Sequence, residues 1–389
     1  MCDAKLSAAA CSQQNDALPS CSDFVFLRAQ QQLYVDKTRY VYALARIVGG
    51  SFSLFRPRGF GKSTLLSTLE ELFLHGTEPY DGHPSYFMGL YIDGRWQERP
   101  GAYTVARLDF ASCCENHPLK ASEFKAWLKR CLTDLAQRMG IEIAPKRTLN
   151  VSWLFDDLLS DAPNKSLVLL IDDCDAPLRA AASMDDFNAV QYVLSDVYAL
   201  IKRHSGKFRL VFCTGTIRFG SQNSFFSGSF IRDKSPSPRF AACCGFSTAE
   251  LKQYFEPALR QAAAQLNPAP AASVSAAAVE SLIEQLTLWY GGFYFADNGA
   301  EPVLQPSSVL TFLKQAKIQW RPFRSAEPAD FPAVFREQLQ HLELCKKYLR
   351  QTLEEQQNGR DTRVAKSDFT KPLPTPPSIS MCCSAGRVI

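Results

Sequence analysis

The sequence predicts an α/β protein: a three-layer core built on a mainly parallel sheet, followed by a smaller helical domain. Three observations predict it. Short apolar runs alternate with stretches of helical period from about residue 33 to residue 215, the order that consecutive strand–helix–strand units give. Leu167 to Ile171 is continuously apolar, the mark of a strand buried on both faces, which a parallel sheet requires. Residues able to carry chemistry fall at the ends of the apolar runs, where ligands bind in such folds.

Taken in order, residues 1–16 are polar and alanine-rich and read as a loose N-terminus. Leu33-Tyr34-Val35 reads as a short strand, followed by a helical pattern through Val48 that Gly49-Gly50 closes. Phe52 to Phe55 is a strand and Ser63 to Phe73 a helix. Thr77 to Gly101, rich in Gly, Pro and Tyr, reads as an insertion built of turns. Val105 to Phe110 is a second core strand, with helices at Ala121 to Met139 and Val151 to Leu159. After the apolar strand at Leu167, Phe187 to Arg203 reads as a helix and Phe208 to Cys213 as another buried strand. Ser221 to Arg239 reads as a long polar loop. Helices follow at Thr248 to Leu266, Ser273 to Trp289 and from Val309. A further helical stretch, Pro332 to Gln356, precedes a proline-bearing tail that lacks apolar periodicity and reads as disordered. The expected division is 17–220 for the α/β domain, 221–325 for the helical lid, and 326–389 for the extension and tail.

The chemistry is concentrated in Arg56-Pro57-Arg58-Gly59-Phe60-Gly61-Lys62-Ser63, between the first core strand and its helix. Strand, glycine-bearing loop, Gly-Lys-Ser and helix is the order of a P-loop that holds nucleotide phosphates. Gly61 lets the backbone approach a phosphate, and consecutive N–H groups at the helix start face the anion. Lys62 reaches the β- and γ-phosphates and the Ser63 hydroxyl binds Mg²⁺. Arg58, Gly59, Phe60 and Thr64 complete the expected cradle. Arg56 stands where the first glycine of the usual pattern falls, so the motif is regular only in its second half.

Asp172, closing the apolar strand, is placed as the acid of a Walker B motif that orders Mg²⁺. Asp173, beside it, stands where a glutamate often polarises the attacking water, and its arm is one methylene shorter. Thr214, at the next strand end, is a candidate sensor of the γ-phosphate, and Arg218 a candidate contact to the same group. The charges of Arg56, Arg58, Lys62 and Arg218 are read as gathered around that phosphate.

The bulk numbers bound the class. A chain of 389 residues, 46% hydrophobic and 21% charged, has room for two or three domains and a sizeable core. A net charge of +4 gives no support for nucleic-acid or membrane binding. No apolar run approaches the roughly 20 residues of a transmembrane helix, and no signal peptide is visible at the N-terminus. The 13 cysteines show no zinc-ligand spacing and are read as free thiols of a cytoplasmic protein.

These segments together resemble the bacterial predicted AAA-ATPase-like family. The resemblance rests on Ser22-Asp23-Phe24 with Tyr34 to Thr38, on Phe55 to Ser63 with Leu65 to Leu69, and on Leu108-Asp109-Phe110. It continues through Leu170 to Asp175, Thr214-Gly215 with Arg218-Phe219, Gly245-Phe246-Ser247, Trp289 to Phe293 and Pro306 to Leu310. It implies a P-loop NTPase fold, ATP and Mg²⁺ as cofactors, and a helical lid after the core. Homo-oligomers, in which an arginine acts across subunits, are expected by analogy. Two departures stand out: Asp173 and Cys174 replace the family's usual Glu-Tyr. Relatives often carry a C-terminal PD-(D/E)XK nuclease-like domain, and no such arrangement follows Trp320. Two readings stay open: Mg²⁺-dependent ATP hydrolysis coupled to conformational change, and a nucleotide-gated interaction module with little or no turnover. A small-molecule kinase is a third, disfavoured by the placement of the helical domain. No protein partner is identified.

Overall fold

The computed structural model describes residues 17–114, 118–142, 150–220, 230–266, 270, 273–296, 301–315, 320 and 380–383, without the side chains of 217–220 and 380–383. The expected helix at Pro332 to Gln356 and the start of the proline-bearing tail lie outside these residues. The chain opens with two helices, α1 (Phe24–Ala29) and α2 (Thr38–Ala45), before strand β1 (Gly50–Phe55) and helix α3 (Lys62–His75). Strand β2 (Thr104–Asp109) leads to α4 (Ala121–Arg138) and α5 (Val151–Asp161). Strand β3 (Leu167–Asp172) is followed by the single turn α6 (Ala176–Arg179) and the long α7 (Met184–Arg203). Strand β4 (Phe208–Gly215), β5 (Ile217–Gly220) and β6 (Arg232–Asp233) complete the α/β part.

Five strands form one sheet in the order β2-β3-β4-β1-β6, every pair parallel. The chain leaves β1, crosses two strands to the edge at β2, then returns through β3 and β4 to lie beside β1. That reversal places β4 between the loop after β1 and the acidic end of β3. Right-handed crossovers then put helices on opposite faces. α1, α2 and α3 pack on Phe52, Leu54, Val168, Leu170 and Phe212. α4, α5 and α7 cover Leu108, Leu169, Ile171, Val211 and Cys213 on the other side. Alternate residues of β3 thus enter two different cores, which is why all six of its residues are buried.

The lid comprises α8 (Thr248–Tyr254), α9 (Glu256–Leu266), α10 (Ala276–Tyr290) and α11 (Pro306–Leu313) around its own apolar cluster. Ser247 and Ser275 cap α8 and α10, accepting the Glu250 and Ala278 N–H groups. Strand β7 (Ser380–Cys383) pairs antiparallel with β5, so this part of the expected disordered tail has a regular partner.

Four local expectations are corrected. Leu33-Tyr34-Val35 belongs to no strand; its side chains are apolar because Tyr34 packs edge-on to Phe24 and Val35 enters the lid core. α2 ends at Ala45, and Gly50 already opens β1. The single helix expected over Thr248 to Leu266 is two, broken at Phe255. Pro257 explains the break: it has no N–H for the carbonyl a turn earlier and its ring crowds that carbonyl, so it is tolerated only in the first turn of a new helix. Finally, the segment read as a loop over Ser221 to Arg239 supplies β6 beside β1.

Candidate functional site

The carboxyl edge of the sheet gathers the sequence-predicted groups in one row. Asp109 is level with Asp172, Ile171 with Cys213, Leu54 with Thr214 and Phe55 with Gly215. From Phe55 the chain turns through the loop into α3. Gly59 and Gly61 both take positive φ, +76° and +90°, which a side chain rarely tolerates. A Cβ placed on Gly61 meets no atom within 4 Å, so the space over this residue is open, as a cradle for an anion must be.

Lys62, the first residue of α3, is only 6% exposed. Its ammonium donates to the Arg56 and Pro57 carbonyls at 3.0 and 3.2 Å and to Thr216 Oγ1 at 3.3 Å. Asp173 Oδ1 stands 3.8 Å away. The structure therefore brings Lys62 beside Asp173, one of the two aspartates read from the sequence. Thr216 was missed: it follows the last residue of β4, where no strand period marks it.

Asp172 is almost wholly buried, and its Oδ1 accepts the Thr214 hydroxyl at 2.6 Å and the Asp173 N–H at 3.1 Å. Thr214 thus gives its single hydroxyl proton to Asp172 rather than to a phosphate-facing group, and what it does in this geometry is fix that carboxylate. Asp173 has φ +45°, a left-handed conformation that aspartate tolerates better than most residues. Burial pushes its carboxyl above the ordinary range; the Lys62 charge opposes this, and the Asp175 and Asp172 charges add to it. Asp175 is fully buried and pairs with Arg179 Nε at 2.7 Å while accepting the Thr216 N–H at 2.9 Å. It ties the turn after β3 to the end of β4. A Cβ on Gly215 would come within 2.9 Å of Asp175 Oδ1 and 2.7 Å of the Phe55 ring, so this junction admits only glycine.

Arg56 corrects the charge reading of the sequence. It is fully buried and faces away from the phosphate side. Its guanidinium donates to the carbonyls of Phe55, Ser235 and Phe240 at 2.8, 3.2 and 3.0 Å, and lies 4.0 Å over the Phe295 ring. The residue at the first position of the loop is therefore a rivet between the loop, the β6 segment and the strand-like segment before α11. Arg56→Met removes donors from buried carbonyls, and an expected loss of about 2–4 kcal/mol follows. Urea unfolding checks it: Arg56→Lys, which lacks the planar fork, should fall almost as far, and a wild-type midpoint in both variants would refute the assignment.

The lid grips the same loop from outside. Gly245 N–H donates to the Phe60 carbonyl at 3.0 Å, Ser307 N–H to Gly59 at 3.1 Å, and Gln305 Nε2 to Arg58 at 2.7 Å. The Phe60 ring packs edge-on against Phe293 and Phe295. Phe60 and Arg58 therefore face the cradle through backbone alone or from its exposed rim. Ser63, second residue of α3, is half-buried, and Thr64 lines an adjoining cavity. Arg218 lies on β5, and its side chain is outside the described ones.

That cavity, of about 240 Å³, lies between the N-terminal segment, the loop and the lid. Its walls are mainly apolar, with Leu27, Val35, Leu65, Phe246 and Leu310 beside Gly61 and Thr64. Lys37 also borders it; its ammonium is held by Glu250 of α8 at 2.6 Å. The cysteines whose side chains are described are free thiols, and no described helix is long and apolar enough to cross a membrane.

A parallel sheet whose strand runs through a glycine loop into a helix headed by Lys62-Ser63, with an acidic pair at the end of the strand two places along the sheet, is a P-loop NTPase core. The chain belongs to the predicted AAA-ATPase family, whose sequence profile matches residues 20–225. It is also similar to an uncharacterized protein of the vnfD 5′ region of Azotobacter chroococcum mcd 1, 26% identical over 295 residues. The match covers 75% of this chain and 49% of that protein, so the chain spans about half the length of this relative.

Proposed function

We propose that the chain binds ATP with Mg²⁺ at this loop and hydrolyses it, the lid moving with the state of the nucleotide. One observation carries the reading: Lys62 and Asp173, distant in sequence, meet across β4 at 3.8 Å beside an open glycine cradle. The loop N–H groups and the positive end of α3 hold the phosphates, and Lys62 exchanges loop carbonyls for phosphate oxygens. The adjoining apolar cavity takes the base. Ser63 and Asp172 offer hard oxygen donors, the class Mg²⁺ prefers, so the residues present fit that ion. Bound there, it would neutralise charge developing on the phosphates.

Asp173 is the group placed to orient and deprotonate a water, and burial makes it a stronger base than an exposed aspartate. Arg218 is assigned the phosphate contact that the family resemblance implies. Movement couples through the carbonyls of Arg58, Gly59 and Phe60, each held by a lid donor. Any shift of the loop on binding phosphate therefore pulls on Gly245, Gln305 and Ser307.

The short arm and left-handed backbone of Asp173 favour a second reading, a nucleotide-gated module with little turnover. Phosphate release under steady state separates the two. Turnover in the wild type that vanishes in Lys62→Ala and Asp173→Asn supports hydrolysis. Tight ATP binding with negligible release supports the gated module, and equal release from all three proteins sinks the hydrolytic assignment.

A further inference from the structure

Arg107 on β2 has no place in the machinery described so far, yet it reaches the buried carboxylate of Asp172. Its guanidinium donates to Glu70 Oε2 at 3.0 Å and reaches Asp172 Oδ2 at 3.5 Å. The first distance is an ordinary hydrogen bond between charges; the second is long for one. Asp172 Oδ1 already receives Thr214 and the Asp173 N–H, so Oδ2 is the oxygen left to meet a cation, and Arg107 is the cation leaning on it. Glu70 lies on α3, seven residues after Ser63 and so on the same face of that helix. The helix that presents the hydroxyl ligand thus also holds the carboxylate that keeps Arg107 from closing on Asp172.

We propose that Arg107 and a divalent cation compete for Asp172 Oδ2, with Glu70 setting the balance by holding the guanidinium away. Arg107 is then a positioning residue that tunes ion affinity, and it acts through Asp172. This rests on the ATP·Mg²⁺ reading above. Two like charges cannot share one buried carboxylate oxygen without repulsion. The ion therefore gains whatever Arg107 loses, and Glu70, by accepting Arg107, lowers the cost of that exchange.

The test is Mn²⁺ binding to the full chain with ADP, followed by electron paramagnetic resonance, with ADP affinity in EDTA measured alongside. Arg107→Met should bind Mn²⁺ about tenfold more tightly than wild type. Glu70→Gln, which frees Arg107 to close on Asp172, should bind it several-fold more weakly. Arg107→Lys, keeping the charge, should stay near wild type. The double variant Arg107→Met with Glu70→Gln should match Arg107→Met, because Glu70 acts only through Arg107. Weaker or unchanged binding in Arg107→Met, or a Glu70→Gln effect that persists in the double variant, overturns the proposal. Should Arg107→Met fail to fold, Glu70→Gln and Arg107→Lys still decide: Mn²⁺ binding unchanged or tighter in Glu70→Gln, or displaced from wild type in Arg107→Lys, overturns the proposal. If wild type binds no ADP in EDTA, the nucleotide reading fails by itself; the same ordering is then required of Mn²⁺ alone.

Discussion

Lys62→Ala should weaken ATP binding by about 100-fold or more, roughly 3 kcal/mol. The lysine is buried in the loop and already surrounded by oxygen: two backbone carbonyls, the Thr216 hydroxyl and the Asp173 carboxylate. Those oxygens hold the ammonium beside the cradle until phosphate oxygens take the place of the carbonyls. Removing it leaves the phosphates with only N–H dipoles, and leaves Asp173 without the cation that counters its neighbours. Calorimetric titration in Mg²⁺ checks the prediction. The fold should survive, since the carbonyls that Lys62 contacts border the open cradle; an affinity within threefold of wild type would remove Lys62 from the site.

Asp173→Asn is expected to lower turnover by about 10²–10⁴-fold while leaving ATP affinity nearly intact. Asparagine tolerates the left-handed backbone as aspartate does, so the change removes the carboxylate's charge and basicity with little backbone penalty. It also carries a stability signature. The native carboxyl holds its proton to higher pH than the unfolded one. The native state therefore loses stability as pH rises from the ordinary carboxylate range, about 4, through the raised value. Below that range both states are protonated and no penalty exists. Asp173→Asn should thus melt higher than wild type near pH 7, with the advantage fading toward pH 4. Asp173→Glu lengthens the arm but places a residue less tolerant of positive φ at +45°, at a cost of about 1 kcal/mol. A variant that melts below wild type at neutral pH, or turns over normally, would contradict the role given to this aspartate.

Much of this site was legible in the chain, for physical reasons. β3 announces itself because a parallel strand between two helical layers must be apolar on both faces, and Asp172 is then conspicuous at its end. Gly61-Lys62-Ser63 is legible because positive φ and a phosphate-facing amide restrict the residue type. Arg56 was misread because its partners, Ser235, Phe240 and Phe295, are nearly 180 or more residues away, and no local pattern reports a buried guanidinium. β6 was hidden for a related reason: two residues beside β1 carry no periodicity. Arg107 read as an ordinary strand residue, since only the register of β2 on β3 and the face of α3 bring it to Asp172. Pro257, by contrast, was visible and should have split the helix.

The stability of the loop and its chemistry are linked through the lid. Arg56 ties the loop to the β6 segment from behind, and Gly245, Gln305 and Ser307 hold its carbonyls from outside. The cradle is therefore rigid on the sides that do not face the ligand, which is what pre-organised phosphate binding needs.

Amide hydrogen exchange on the full chain, with and without ATP and Mg²⁺, tests most directly whether this loop holds the nucleotide. ATP should slow exchange in peptides covering Arg56 to Leu69 and Phe240 to Ser247, and leave α4 at Ala121–Arg138, on the opposite face of the sheet, unchanged. Protection absent from the loop at saturating ATP, or appearing instead over α4, would contradict the assignment of the site.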